Sequence, residues 1–424
     1  MKLVVFEDDQ VDRFLPLAYT RGVFELKTGA TSLADKIARA ARVPLGAVIA
    51  RDYLAPTLRR RLPGVAVSDL AACAGDEVLF VNARVCGTAF KPPEKRVALW
   101  RGEQLAAWRT TDNVGAVRDY AALVAAASNA ERAAYEGGWF DYIWDVMLGN
   151  PGQIEADFTA AGRCGVEGRM HESAVVFGPR DRLYIGADAE IHPMVCLDTR
   201  HGPITIEAGC EVHPFTRIEG PCYIGPGSIV LGAKIREGTS IGPMCRVGGE
   251  IEESIIHGYS NKYHDGFLGH AYVGEWVNLG ALTTNSDLKN DYTAVSVMMP
   301  GGKTVSTGST KVGAFIADHV KTSIGTLLNT GTIVGTMAVL VATGAPLPKY
   351  IPPFAWFLSG VVSKGFGLSA LLATARVAMS RRKVEMTADD EQLLRHVYEL
   401  TAAERAEYVS KGRRQLAGRS GASA

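Results

Sequence analysis

The sequence predicts a chain of three parts: an α/β domain with a largely parallel sheet over residues 1–169, a parallel β-helix over 170–340, and a docking segment with helices over 341–424. Three observations carry this. Strand-like and helix-like stretches alternate in the first part, aliphatic side chains recur every six residues in the second, and two helix starts stand in the third.

In the first part LVVF near the start, GAVIA at 46–50 and EVLFVNARV at 77–85 read as strands, while SLADKIARAARV and RDYAALVAAASNAERAAY carry apolar residues at helical spacing. Alternation of this kind argues for a parallel sheet covered by helices. In the second part Ile185, Ile191 and Leu197 lie six apart; the count resumes at Ile206, Val212, Ile218 and Ile224, then after a one-residue slip at Ile229, Ile235, Ile241 and Val247, and again at Phe267, Val273, Leu279 and Asn285. A period of six fits neither a helix nor a plain strand. It fits a coil in which each hexapeptide is one flat side with its aliphatic residue inward and a glycine at the corner. In the third part TADD at Thr387 and TAAE at Thr401 read as capping boxes opening amphipathic helices, which would close the end of the coil. The last residues, GRSGASA, read as disordered.

Composition bounds the function. Lys plus Arg and Asp plus Glu are both 45, so the formal net charge is zero and neither nucleic acid nor an anionic membrane is expected as partner. The seven cysteines are scattered and never spaced C-x-x-C, which fits no disulfide framework or zinc ribbon and points to a reducing cytoplasm. The start, MKLVVFEDDQ, lacks the hydrophobic region of a signal peptide and reads as a buried strand. The apolar segment from Tyr350 to Met379 is broken by Pro352, Pro353, Lys364 and three glycines. It falls short of the roughly 20 apolar residues of a membrane span and reads as a docking segment and helix.

The stretch SNKYHDGFLGHAYVGEWVNLGALTTN concentrates the chemistry. An imidazole titrates near neutrality and suits the base that acyl transfer to an amine or hydroxyl requires, and backbone amides of the turn at 280–283 would face the developing oxyanion. NKYHDGFLGHAYVGEWVNLGA resembles the acetyltransferase half of the bifunctional glucosamine-1-phosphate acetyltransferase and N-acetylglucosamine-1-phosphate uridylyltransferase, a family built on left-handed hexapeptide coils. LPLAYTRGVFELKTG, GYSNKYHDGFLG, LGALTTNSDLKN and NTGTIVG are similar to its GlmU-related bacterial branch, whose nucleotidyltransferase half is shortened. The resemblance implies an acetyl-CoA-dependent transferase acting on an amino sugar phosphate or related sugar, in a homotrimer whose site lies between chains.

Residue by residue, the resemblance places His264 on the catalytic histidine and Asn278 on a substrate-contacting asparagine. Arg236 falls on a sugar-phosphate arginine, and Lys262 stands in for a lysine missing from EIEESII. Phe267 replaces an expected tyrosine. Acyl-CoA contacts fall on Asn285, Asp287, Asn329 and Thr330. His270 reads as a turn residue. A zinc site of His257, His264 and His270 is disfavoured, because positions six apart occupy successive sides of the coil. In the first part the resemblance assigns nucleoside triphosphate binding to Arg21, Lys27 and Lys36. The Mg²⁺ aspartate expected after the central strand is replaced by Ala83 or Arg84 in FVNARV, with Asp157 the alternative metal carboxylate beside Asn150. The competing class is a non-catalytic trimeric scaffold or a sugar-nucleotide-binding protein, and the motif at His264 discriminates against it.

Overall fold

The run LVVF forms the strand Lys2–Phe6, which lies inside a seven-stranded sheet beside its central strand, Val78–Asn82. The computed structural model describes residues 1–73 and 75–421. The order across the sheet is Ala66–Val67, Leu45–Ile49, Lys2–Phe6, Val78–Asn82, Gln104–Thr110, Val97–Arg101 and Glu131–Ala134. Four of the pairings are parallel, and the two made by Gln104–Thr110 are antiparallel. The expected strands at the start, at 46–50 and at 77–85 are all present. The helix Leu33–Ala41 starts at Ser32, whose hydroxyl accepts from the Asp35 amide at 3.1 Å while Asp35 accepts from the Ser32 amide at 3.0 Å. RDYAALVAAASNAERAAY differs from expectation: the helix covers only Tyr120–Ala127, and Glu131–Ala134 pairs as a parallel edge strand with Val97–Arg101. Tertiary pairing overrides the helical propensity of Glu, Arg and Ala there.

The chain divides into two units, one of residues 1–27, 31–145 and 388–394, the other of 28–30, 146–387 and 395–424. In the second unit the hexapeptides form a three-sided parallel coil. The first side stacks ten strands from Gly165–Val166 to Tyr350–Ile351. The second side runs through Glu190–Ile191, Glu211–Val212, Asn261–Lys262 and Lys321–Thr322 to Trp356–Leu358, and the third through Cys196–Asp198, Arg217–Glu219 and Phe267–Gly269. Aliphatic residues point inward to a continuous core: Ile185, Leu197, Ile206, Val212, Ile218, Ile224, Ile235, Ile241 and Val247 are fully buried.

Two counted positions are off by one. Val212 pairs with Val230, so Val230 is inward and Ile229 outward, and the slip falls after Val230. Ile251 pairs with Leu268, so Leu268 is inward and Phe267 faces out. Within the slipped window both neighbours are apolar, and only the ladder chooses between them.

The coil's ladder continues past position 340 through Tyr350–Ile351 and Trp356–Leu358. The helix Leu368–Ser380 follows. The remaining helices, Ala388–Leu400 and Ala402–Gly421, start directly after Thr387 and Thr401. Part of the tail read as disordered is therefore helical to Gly421, and residues 422–424 lie outside the described residues. Among the described residues no helix is long and apolar enough to cross a membrane.

Candidate active site

Lys262 occupies an inward position of the second side, paired with Val247 where neighbouring rungs carry aliphatic side chains. It is 3% exposed, and its ammonium turns to the corner, donating to the carbonyls of Gly248 at 3.0 Å and His264 at 2.7 Å. Burial lowers its pKa to about 8, against a small opposing effect of Asp265. Gly249, at φ +69°, leaves room for it: a Cβ there would lie 2.7 Å from the Lys262 nitrogen. Lys262 thus does not project toward a sugar phosphate. It anchors, from inside the coil, the corner that carries His264.

That corner joins Asn261–Lys262 on the second side to Phe267–Gly269 on the third. His264 is exposed, its ring edge on Tyr263 with centroids 5.7 Å apart, and neither ring nitrogen has a hydrogen-bond partner among the described residues. The next rung ties the corner down, since the Leu282 amide donates to the Asp265 carbonyl at 2.8 Å. In the turn at 280–283, the amides of Gly280, Leu282 and Thr283 are engaged by Thr322 Oγ1, Asp265 and Gly280. Ala281 supplies the remaining amide.

Two faces flank His264. On the third side a hollow of about 290 Å³ is lined by Lys234, Glu250, Asp265 and Phe267 among glycines. Arg236 directly follows the strand Ile229–Ile235 that carries Lys234, with its guanidinium donating to Glu252 at 2.5 Å and to Glu237 at 3.4 Å. Glu252 also accepts from Lys311 at 3.2 Å. On the second side Asn278 bridges Asn261 and Lys321 in the ladder and accepts from the Asn261 amide nitrogen at 3.1 Å. His264 therefore stands on the edge between the faces of Arg236 and Asn278. Lys234 and Glu250 escaped the sequence reading because nothing in KIREG or VGGEIE sets them apart from surface charges.

His270 is more than a turn residue. It is 2% exposed at φ +46°, with Nδ1 2.9 Å from Asp287 and Nε2 3.3 Å from Glu253. Burial alone would lower its pKa, but the two carboxylates raise it to about 9. Asp287 is held by this pair. Asn285 is inward and 2% exposed, accepting from the Gly269 amide at 2.9 Å and donating to the Gly269 carbonyl at 2.8 Å. Asn329 donates to the Leu347 carbonyl at 2.7 Å, and Thr330 is buried. The polar groups of Asn285, Asp287 and Asn329 thus fasten the coil's own loops.

In the first unit Arg21 and Lys36 are 2% and 1% exposed, and Lys27 is half-buried. The end of the strand Val78–Asn82 is filled by Arg84, whose buried guanidinium donates to Asp8 at 2.9 Å, to Asp141 at 2.8 Å and to the Phe140 carbonyl at 3.0 Å. Asn82 donates to the same Asp8 oxygen. A cation thus neutralises the carboxylate at the place where Mg²⁺ would need free carboxylate oxygens. In the second unit Asp157 accepts from the Ala30 amide at 2.7 Å. Among the described residues no three His, Cys, Asp or Glu side chains converge on a metal position. Arg84 thus stands where the resemblance puts the Mg²⁺ aspartate, with Asp8 and Asp141 paired to its guanidinium.

Residues 3–163 match the family model described as sugar nucleotidyl transferase. The chain is similar to the Bifunctional protein GlmU of Jannaschia sp. (strain CCS1), 36% identical over 109 residues covering 24% of this chain and 23% of the relative. It is also similar to the bifunctional sugar-1-phosphate nucleotidylyltransferase/acetyltransferase of Sulfurisphaera tokodaii, 36% identical over 149 residues covering 32% and 35%. The Bifunctional protein GlmU of Thermotoga petrophila is 26% identical over 222 residues covering 47% and 42%. The matched stretches thus span less than half the length of each relative. Among solved structures, the UDP-N-acetylglucosamine acyltransferase of Francisella novicida overlaps at 14% identity, 59% and 86% coverage and a TM-score of 0.29. The chain is thus similar to a sugar nucleotidyl transferase model over residues 3–163 and, over part of their length, to bifunctional GlmU relatives.

Proposed function

We propose that the coil is an acyl-CoA-dependent acetyltransferase acting on the amine of an amino sugar phosphate or related sugar, with His264 as general base. The observation that carries the reading is the His264 corner, an exposed imidazole with both nitrogens open on a backbone anchored by Lys262 and by the next rung. The acceptor nitrogen attacks the thioester carbonyl and His264 takes its proton. The Ala281 amide faces the oxyanion, and collapse of the tetrahedral adduct expels the CoA thiolate, which the imidazolium reprotonates. His270 is unsuited to this work, since at a pKa of about 9 it is already protonated at neutral pH. Arg236 and Lys234 on one face and Asn278 on the other supply groups for the acceptor. The loops fastened by Asn285, Asp287 and Asn329, with the buried Thr330, border the acyl-CoA.

Exposed apolar side chains on the same edge support a homotrimer that closes the site between chains. Met194, Phe215, Leu282 and Ile324 are 61%, 75%, 59% and 73% exposed, each two or three residues past an inward position of the second side. A scaffold that only trimerises has no use for an open imidazole beside them. The N-terminal domain on this reading binds a nucleoside triphosphate or sugar nucleotide and turns it over slowly at best, because Arg84 fills the metal position. The setting is the cytoplasm.

The test is a screen of CoA release from acetyl-CoA against hexosamine phosphates, run on material sized by light scattering. Release with one acceptor by a trimer supports the reading. A correctly folded trimer inert toward every amino sugar phosphate would sink it, and calorimetry with nucleoside triphosphates decides the N-terminal half separately.

A further inference from the structure

The outward column of the second side changes character along the coil. It reads Arg246, Asn261, Asn278, Lys321, Val339 and Trp356, polar at one end and apolar at the other. The helix Leu368–Ser380 lies over it. Beyond the helix end, Arg382 donates to Asn261 Oδ1 at 2.6 Å and to the Met244 carbonyl at 3.3 Å. Small residues of the helix, Ala373, Thr374 and Ala378, leave a cleft in two chambers of about 530 and 220 Å³ that meet at Lys321 and Thr374.

The larger chamber is lined by three cations, Lys321, Arg381 and Arg382, and by no carboxylate. The Lys321 ammonium donates to the Trp276 carbonyl at 2.5 Å, a neutral partner, and burial lowers its pKa to about 8. A charge withdrawn from water without a counter-charge is costly, so an anion in this chamber is favoured. The smaller chamber is apolar, walled by Met337, Val339, Trp356, Phe366 and Leu371. From Asn278 to Trp356 the cleft spans three rungs of about 4.8 Å, roughly 14 Å.

A nucleotide is a poor fit. Trp276 already stacks on Tyr259 at 4.4 Å and on His319 at 6.3 Å, so its ring faces are turned to neighbours rather than offered to a base. We propose that this cleft binds an anionic amphiphile, a single aliphatic chain ending in a carboxylate or phosphate, with its head on Lys321, Arg381 and Arg382 and its chain in the apolar chamber.

The experiment is calorimetry on the full chain with decanoate, decyl phosphate, 1-decanol and inorganic phosphate, all below micelle formation. Decanoate and decyl phosphate should bind at least tenfold tighter than 1-decanol, and decyl phosphate at least tenfold tighter than inorganic phosphate. The tighter of the two anions identifies the head group. Lys321→Met should remove the preference over 1-decanol, and Thr374→Trp, at an exposed position between the chambers, should weaken both chain-bearing anions at least tenfold. Equal binding of 1-decanol and decanoate overturns the proposal, as does equal binding of inorganic and decyl phosphate. Unchanged affinity in either variant, at a wild-type melting temperature, overturns it too.

Discussion

His270 makes the coil's stability depend on alkaline pH. Its imidazole is nearly inaccessible between Asp287 and Glu253, and its pKa rises from 6.5 to about 9. Folding therefore favours the protonated form, and the stabilisation is fully present below pH 6.5 and is lost as pH rises through 9. At about 1.4 kcal/mol per unit, a shift of this size corresponds to about 3 kcal/mol. Lys262 and Lys321 run the other way: both fall from 10.5 to about 8, so their cost to the fold is present below 8 and is relieved between 8 and 10.5. A pH series on the wild type alone would mix these trends. The difference between wild type and His270→Asn isolates the histidine, and Asn tolerates the left-handed backbone at φ +46°. Urea unfolding followed by CD at pH 6, 8 and 10 should give a difference of about 3 kcal/mol at pH 6 that shrinks toward pH 10. A difference equal at pH 6 and pH 10 would refute the buried ion pair as its source.

Lys262→Met should leave the melting temperature within a few degrees, since removing a buried charge offsets two hydrogen bonds of about 1.5–3 kcal/mol each, while turnover falls at least tenfold as the His264 corner loosens; calorimetric melting and a CoA-release assay check the two parts. Asn150→Ala should destabilise the second unit by about 3 kcal/mol or more, read by urea unfolding. It removes the acceptor for the Gly29 amide at 2.6 Å, Thr28 Oγ1 at 3.1 Å and Ser240 Oγ at 3.2 Å, and the donor to the Gly238 carbonyl at 2.8 Å.

The six-residue count made the coil legible because an inward aliphatic residue recurs at every side, and the core confirms it from Ile185 to Val247. The count failed where two neighbours were both apolar, at Ile229 beside Val230 and Phe267 beside Leu268, since periodicity cannot rank them. Lys262 was legible as a residue near His264 but not in its role, because a lysine in an aliphatic slot contradicts the pattern that finds the slot. Arg84 was visible as a departure at the expected aspartate, yet its pairing with Asp8 and Asp141 joins residues 76 and 57 positions apart, which no local pattern reports. The cleft under the Leu368–Ser380 helix was hidden for the same reason. Lys321 and Arg382 come together only when the helix folds back over the coil.

His264 as the base of an acyl transfer is put to the test by the turnover of His264→Ala with acetyl-CoA and the acceptor found by screening. The kcat should fall by roughly 10² to 10⁴, the usual contribution of a general base, with KM for acetyl-CoA and the melting temperature little changed because the exposed ring supports no packing. Wild-type turnover in His264→Ala would contradict it and remove the imidazole from the mechanism.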